Sequence, residues 1–258
     1  MPALLLPALC FELLLFIVPL IGIAILSFTS AKGISGTQYV DFFTSSYTLS
    51  ALWRTIRLSF LATVVTLIVG YPVALYLVSP GMRGKTFVTF AIIAPLFVSP
   101  VVRSYGWLIL LRHGGPLPLL FTEYAIVIGL AHVNLPFTVL AISASLQQID
   151  PALTRAARNL GAGPFKAFAR VTLPLSSPGI AAGALLTFSL SASAFVTPAL
   201  VGGSRIPMMS YVVYNDGLVL LDWPRAAAVA IVLLAVTLTV ATIYGTVGEN
   251  VPSQAPAG

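Results

Sequence analysis

Long apolar runs alternate with short polar segments along this chain, and the runs have the length of helices that cross a membrane. An α-helix rises 1.5 Å per residue, so about 20 apolar residues cross the roughly 30 Å of hydrocarbon in a bilayer. Six runs meet that length: Ala3–Phe28, Leu58–Ser79, Phe87–Leu111, Tyr124–Leu146, Gly179–Leu200 and Ala226–Val247. The pattern therefore predicts an all-α integral membrane protein with six transmembrane helices in a single domain, residues 1–258.

The first apolar run differs from a cleaved secretory signal. No Lys or Arg precedes it, and it is longer than the roughly 7–15 apolar residues of a signal sequence. We therefore interpret it as a retained first helix. The shorter stretches between the runs are predicted to be loops: Thr29–Arg57, Pro80–Lys85, Arg112–Glu123 and Val201–Arg225.

Composition supports the membrane interpretation and bears on possible partners. Hydrophobic residues make up 58% of the chain and charged residues only 8%, whereas a soluble protein carries about 25% charged residues. The formal net charge is +6, but the basic residues stand singly or in small groups between apolar runs. That distribution fits loops at an anionic lipid surface, so a lipid bilayer is the expected partner and nucleic acid is not.

Catalytic and metal-site signatures are missing from the sequence. The two histidines, His113 and His132, have no carboxylate at ligand spacing, and Cys10 is the only cysteine. No GxxxxGK[ST] segment for nucleotide binding occurs, and we find no nucleophile beside a general base. We therefore expect a chain that is not an enzyme and binds no cofactor itself.

One polar stretch stands apart, and we call RAARNLGAGPFKAFARVTLP, Arg155–Pro174, the basic segment. It carries four basic residues and no acidic one between two apolar runs. Asp150 followed by Pro151 is a typical helix start, whereas Gly161 and Gly163 end that helix before Pro164 begins another. The segment is therefore predicted to form two short helices with a break between them.

The side chains of the basic segment leave two interpretations open. Small and apolar residues share one face of the first helix, two phenylalanines share a face of the second, and basic residues flank both. Such a surface suits docking onto another protein, or an amphipathic helix lying on lipid. The residues concerned are Arg155, Ala156, Ala157, Leu160, Gly161, Phe165, Phe168 and Arg170.

The stretch SLQQIDPALTRAARNLGAGPFKAFARVTLPLSSPGI resembles the EAA loop of permease subunits of binding-protein-dependent ABC importers. Its matching residues are Ala156, Ala157, Gly161, Val171, Leu173 and Pro174. The resemblance implies that residues 148–178 form a cytoplasmic coupling loop, whose residues named above fit into a cleft of an ATPase subunit. Arg155 stands where the family usually has Glu, which changes the charge that an ATPase partner must complement.

The same resemblance implies an assembly around this chain. It predicts a permease fold of the methionine-importer type, two copies of a cytoplasmic ABC ATPase, a second homologous permease and a periplasmic solute-binding protein. ATP and Mg²⁺ belong to the ATPase subunits. The expected location is the bacterial inner membrane, with both chain termini in the cytoplasm.

Four other stretches resemble the spermidine/putrescine-type permeases, in the form of the first of their two permease subunits. They are SPVVRSYGW, HVNLPF, AFVTPALVGG and DWPRAAA. This resemblance implies that the solute is a polyamine or another small organic molecule of the opine, aminobutyrate or aminophosphonate classes. Ala194 stands where some polyamine members carry Asp, so one candidate contact for a cation is absent.

Residues in these stretches are candidates for the solute path, and each has a simpler alternative. Polar groups within a span are costly and often functional, but they also form hydrogen bonds between helices. Aromatic residues near span ends are typical of interfacial belts, and loop acids are typically solvated. The candidates are Tyr105, Trp107, His132, Asn134, Phe195, Thr197, Asp216 and Asp222.

The main alternative function is a secondary transporter or channel driven by an ion gradient. Such proteins use relays of ionisable residues within the membrane or inverted repeats. This sequence offers at best Glu12 and His132 for a relay. The resemblance and the missing relay together favour the importer permease.

Overall fold

The computed structural model describes residues 6–30 and 33–249, and these residues are mostly helical. A two-stranded antiparallel hairpin pairs β1 (Thr29–Ser30) with β2 (Gly33–Ile34), with Thr29 opposite Ile34. The first six helices are α1 (Leu6–Ser27), α2 (Thr37–Thr44), α3 (Ser46–Val78), α4 (Lys85–Ile93), α5 (Pro100–Leu111) and α6 (Glu123–Gln147). The remaining helices are α7 (Pro151–Asn159), α8 (Pro164–Ala167), α9 (Leu173–Leu175), α10 (Ser177–Ser193), α11 (Val196–Val201), α12 (Met209–Tyr214) and α13 (Trp223–Glu249).

Short irregular helical turns connect several of these helices. Tight 3-10 turns occupy Ala94–Phe97 and Gly203–Arg205, and wider π turns occupy Phe168–Thr172 and Asn215–Val219. Both chain termini are predicted to lie in the cytoplasm, and residues 1–5 and 250–258 lie outside the described residues. The predicted start of the first span at Ala3 also lies there.

Apolar helices coincide with the predicted spans, but not all of them are continuous. Among the described residues, three helices are long and apolar enough to cross a membrane: Ser46–Val78, Glu123–Gln147 and Trp223–Ile243. Two further candidates are bent pairs, Lys85–Phe97 with Pro100–Leu111 and Pro164–Leu175 with Ser177–Ser193. Within α1, Phe11–Ser27 forms a shorter apolar helical stretch.

The third predicted span, Phe87–Leu111, is not one continuous helix, because the chain bends by 106° within it. Val98 and Ser99 adopt extended backbone angles immediately before Pro100. A residue that precedes proline avoids the helical region, and proline has no N–H to donate, so a continuous helix is not formed there. Arg103 lies across the bend, where its Nη1 donates to the carbonyl of Pro95 at 2.7 Å.

The fifth predicted span, Gly179–Leu200, is also shorter than expected. Helix α10 ends at Ser193, Ala194 is extended, and α11 begins at Val196. Pro198 cannot donate to the carbonyl four residues earlier, which interrupts the helix at this point.

Two of the predicted loops are largely helical. Thr29–Arg57 contains α2 and the first turns of α3, and Val201–Arg225 contains α12 and a π turn. The side chain of Thr48 satisfies a carbonyl at the end of α2, since its Oγ1 donates to Phe42 at 2.6 Å. Polar residues of this kind lower the mean hydropathy of a segment without preventing a helix.

The described residues form two compact units. One comprises the residues up to Arg54 together with Pro207–Val236, and its core packs Phe42 and Ala51 with residues of α12 and α13. The other comprises Thr55–Ile206 and the residues from Thr237 onward. Its most extensive helix packing is that of α6 against α10.

Small and polar residues bring α6 and α10 close together. A Cβ atom at Gly179 would clash with Ser145 and lie 2.9 Å from the carbonyl oxygen of Ala141. Two buried hydrogen bonds cross the same interface, from Asn134 Nδ2 to Ser191 Oγ at 2.9 Å and between the hydroxyls of Thr138 and Thr187 at 2.6 Å. Such small residues and polar pairs are how membrane helices associate when hydrophobic burial provides little driving force.

We predict that Gly179→Ala destabilises the protein, because the added methyl group would meet both backbone and side-chain atoms of α6. Overpacking of this kind costs about 1–3 kcal/mol. Gly183→Ala, in the same helix, is the matched control, since its Cβ would lie 3.4 Å from Thr138, an ordinary contact. Thermal unfolding of the purified variants should show a lower midpoint for G179A than for G183A, and equal midpoints would contradict the close packing.

Candidate functional site

The basic segment begins with a capped helix, as its sequence predicts. Asp150 Oδ1 accepts a hydrogen bond from the Ala152 N–H at 2.8 Å, and Pro151 occupies the first helical position. Helix α7 ends at Asn159, and Gly161 then adopts a φ of +87°. That left-handed conformation favours glycine and ends the helix. The predicted break between two short helices is therefore confirmed.

The second half of the basic segment is anchored to α3. Helix α8 continues through the π turn Phe168–Thr172 into α9, and the chain then bends by 62° into α10. At the bend, the hydroxyl of buried Ser176 lies 2.7 Å from the hydroxyl of Tyr71. The rings of Phe168 and Tyr71 meet edge to face, 5.7 Å apart. Tyr71, which the sequence did not single out, therefore joins α3 to this segment.

The outer surface of the basic segment is apolar at its centre and basic around it. The side chains of Leu160 and Phe165 are 89% and 82% exposed. Arg155, Ala156, Gly161 and Arg170 are exposed as well, and Ala157 is partly buried. The two phenylalanines predicted to share a face are separated, since Phe168 packs inward against Tyr71. No acidic residue occurs in the sequence between Asp150 and Asp216 to neutralise this surface.

The two path candidates in α6, Asn134 and His132, each form a hydrogen bond with a side chain of the same compact unit. Asn134 is 2% exposed and donates to Ser191, which bears out its alternative role as an interhelical hydrogen-bonding group. Trp107 Nε1 donates to His132 Nδ1 at 3.2 Å, and the two rings meet edge to face. Since Nδ1 accepts this hydrogen bond, a neutral His132 carries its proton on Nε2.

The remaining candidates of this unit differ in exposure. Thr197 is 5% exposed, and its hydroxyl lies 3.0 Å from that of Ser104, so it joins α11 to α5. Its methyl group leaves no room for a side chain at Gly129, where a Cβ would lie 2.7 Å away. Tyr105 is exposed and Phe195 is partly buried. Thr197 therefore serves helix packing, whereas Tyr105 presents its ring outward.

Asp216 and Asp222 are path candidates whose simpler alternative is that they are solvated loop acids, and for Asp216 that alternative is wrong. Asp216 is 3% exposed in the π turn after α12, and its Oδ2 lies 3.2 Å from Arg225 Nε. Burial raises the pKa of the Asp216 carboxyl above its ordinary value, and the Arg225 charge opposes that shift. Asp222 is partly buried and caps α13, with its Oδ1 accepting from the Arg225 N–H at 3.2 Å.

Arg225 is a residue whose role the sequence analysis missed. It pairs with buried Asp216 through its side chain and with Asp222 through its backbone. The signal in the sequence was DWPR, because an acid followed closely by proline marks a helix start. Among the described residues, no group of three or more His, Cys, Asp or Glu side chains lies close enough together to hold a metal ion.

Comparison with known proteins gives the family and the fold. The family model described as "Binding-protein-dependent transport system inner membrane component" matches residues 67–249. The spermidine/putrescine transport system permease protein PotB of Haemophilus influenzae is 29% identical over 92% of this chain and 91% of its own length. PotB of Escherichia coli is 31% identical over 75% of each chain.

Solved structures of ABC importers share this fold at low sequence identity. A bacterial ABC transporter involved in the import of the acidic polysaccharide alginate matches with a TM-score of 0.81 and 20% identity, over 97% of this chain and 95% of that chain. The methionine ABC transporter MetNI, in an inward-facing conformation, matches with a TM-score of 0.66 and 18% identity. That match covers 81% of this chain and 100% of the MetNI chain.

Replacing one or the other partner of the buried Asp216–Arg225 ion pair should affect stability differently. Asp216→Asn removes a buried charge with little change of size, and Arg225, whose side chain is 35% exposed, remains hydrated. Arg225→Gln leaves a buried carboxylate without its counter-ion, which costs about 3 kcal/mol in comparable pairs. At pH 7 we expect the thermal midpoint of R225Q to fall well below those of D216N and the wild type.

The pH dependence checks the same account. The Asp216 carboxyl keeps its proton to a higher pH in the folded protein than in the unfolded chain. Its contribution to the free energy of unfolding of the wild type therefore decreases as the pH rises from 3.8 through the raised pKa. D216N has no such proton, and its thermal midpoint relative to the wild type should therefore rise over the same window. A wild-type advantage that grows with pH would contradict the burial argument.

Proposed function

Since the chain belongs to the family of binding-protein-dependent transport system inner membrane components, we propose that the basic segment of this ABC importer permease is where its cytoplasmic ATPase docks. The observation that carries the proposal is the exposure of Leu160 and Phe165, in the middle of a surface with four basic residues. Large apolar side chains so exposed mark interaction sites. A protein partner satisfies both the apolar centre and the basic rim.

The anchoring of the segment supports its role in coupling. A force applied to Phe165 passes through α8 to Phe168, which packs on Tyr71 of α3. The hydrogen bond between Tyr71 and Ser176 ties the same point to the start of α10. Movement of the ATPase subunits is thereby transmitted to two long helices as a rigid-body shift that alternates access to the solute path.

The proposed topology has six spans in one domain, with the basic segment and both termini in the cytoplasm. The count includes α1, the three long apolar helices and the two bent pairs, each taken as one span. A fold of the methionine-importer type is supported by the MetNI match over the whole of that chain. The domain is proposed to carry its coupling loop at residues 148–178.

The proposed assembly contains a second permease, two ATPase subunits that bind ATP and Mg²⁺, and a periplasmic binding protein. A similar structure, with a TM-score of 0.80, is an alginate ABC transporter in complex with a pentasaccharide-bound periplasmic protein. This chain supplies helices and a docking surface rather than reactive groups. ATP hydrolysis therefore belongs to the ATPase partner.

The solute is proposed to be a polyamine, as the PotB relatives suggest. Of the path candidates, Tyr105, Trp107 and Phe195 keep a proposed role in the path, because aromatic rings bind cations. His132 is proposed to hold the ring of Trp107 in place through their hydrogen bond. Asn134 and Thr197 are proposed to shape the path by holding helices. Asp216 and Asp222 are proposed to stabilise α13 rather than to steer the solute.

A pair of phenylalanine variants tests the docking surface. Phe165→Ala removes an exposed ring, so it should leave the thermal midpoint unchanged while weakening ATPase docking by about 2 kcal/mol, or ~30-fold in affinity. Phe168→Ala removes an internal contact with Tyr71 and should lower stability by about 1 kcal/mol as well as transport. The measurements are thermal unfolding, co-purification of the ATPase and solute uptake.

We expect F165A to lower ATPase docking and uptake but not stability, whereas F168A lowers both stability and uptake. Undiminished uptake and ATPase recovery in F165A would contradict docking at this surface. A lower thermal midpoint in F165A would mean that the ring serves the fold instead.

Uptake of labelled spermidine tests the solute and the energy source together. In vesicles that contain all the subunits, uptake should require ATP and the binding protein, and an ionophore added with ATP held constant should not reduce it. Uptake that persists without ATP but stops with the ionophore would favour the ion-driven transporter. ATP-dependent uptake of an opine, aminobutyrate or aminophosphonate in place of spermidine would overturn the polyamine assignment and leave the importer intact.

A further inference from the structure

An open groove of about 620 Å³ is lined by none of the proposed docking or path residues. It is formed where the end of α3, the start of α4 and the last turns of α6 meet. Its polar lining is contributed by Lys85, Thr86, Thr89, Ser143 and Gln147, and none of the described residues that line it is acidic. Its apolar lining is contributed by Leu77, Phe90, Ile93 and Leu140.

The lining changes from polar to apolar along both helices. On α4, Phe90 and Ile93 follow Lys85 by about 7.5 and 12 Å along the helix axis, at 1.5 Å per residue. On α6, Leu140 precedes Gln147 by about 10.5 Å. The polar ends of both helices therefore lie at one end of the groove, and the apolar walls extend from there towards the middle of the span.

The polar end of the groove favours a negative charge. Lys85 is the first residue of α4, and the preceding residue, Gly84, has no side chain to cap that helix. The free N–H groups of a helix start and the positive end of its dipole attract anions. Lys85 adds a full positive charge at the same place.

A second, independent feature marks the groove as a binding site. Ser143 lines it and is 7% exposed, and its Oγ has no hydrogen-bond partner among the described residues. A buried hydroxyl without a partner is unfavourable, and a ligand that forms a hydrogen bond with it removes that cost. Ser143 lies about 6 Å from Gln147 along α6, between the polar end and the apolar walls.

We infer that this groove binds an anionic phospholipid. Its phosphate would lie at Lys85 and the start of α4, a polar group near the glycerol would satisfy Ser143, and one acyl chain would cover Phe90, which is 70% exposed. A free inorganic anion leaves the apolar walls uncovered. An apolar helix of a second permease would leave Lys85 without a counter-charge. Basic pockets between transmembrane helices bind anionic lipid headgroups in this way.

The test is lipid binding by the transporter, purified from its native membrane in mild detergent with every subunit that accompanies it. Native mass spectrometry counts retained phospholipids, and titration after lipid removal compares phosphatidylglycerol with phosphatidylcholine of identical acyl chains. We expect one retained anionic lipid and a preference of at least fivefold for phosphatidylglycerol. This binding depends on neither ATP nor the identity of the solute.

Variants of neighbouring basic residues give the matched control. Lys85→Gln should weaken phosphatidylglycerol binding about fivefold, since one basic residue near a lipid surface contributes about 1 kcal/mol. Lys85→Arg should restore it. Arg83→Gln removes the same charge from the turn just before α4, outside the groove, and should change binding less than twofold. Thermal midpoints of the variants confirm that each is folded.

Several results would overturn the inference. They are equal losses in K85Q and R83Q, equal binding of the neutral lipid, and the retention of no phospholipid. A cross-link from a cysteine at Phe90 to a second permease subunit would show that a protein helix covers the groove instead.

Discussion

The close approach of α6 and α10 is the contact on which the rest of this structure depends. The basic segment leaves the end of α6 and returns at the start of α10, so both of its ends are fixed by this one interface. Gly179 removes the side chain that would separate the helices beside Ser145, and the bonds from Asn134 and Thr138 hold them further along. A docking surface can move as one body only if its two ends do not separate.

The basic segment combines two properties: it exposes large apolar side chains, and it packs against α3. A helix that lies on lipid does not need both. Leu160 and Phe165 project almost fully, whereas Phe168, three residues later, turns inward to Tyr71. The same short segment therefore exposes one aromatic ring and packs another against Tyr71 of α3. This arrangement is the basis of the proposed coupling between an ATPase and the helices of this chain.

Sequence alone located the apolar parts of the long helices α3, α6 and α13, because about 20 apolar residues are a strong signal. It did not predict the 106° bend, since hydropathy treats Phe97–Pro100 as one apolar run and the angle depends on backbone conformation before Pro100. The capped helix at Asp150 and the break at Gly161 were predictable from local chemistry. Buried Asp216 was not, since its counter-ion Arg225 belongs to the next helix.

The most direct measurement of the central claim is purification from the native membrane in mild detergent, with mass spectrometry of every chain that accompanies this one. Our account predicts an ABC ATPase, a second permease and a periplasmic-type binding protein in the same complex. A chain that repeatedly purifies alone, or only with itself, would mean that the exposed surface at Leu160 and Phe165 is not an ATPase docking site, and would return the ion-driven transporter to consideration.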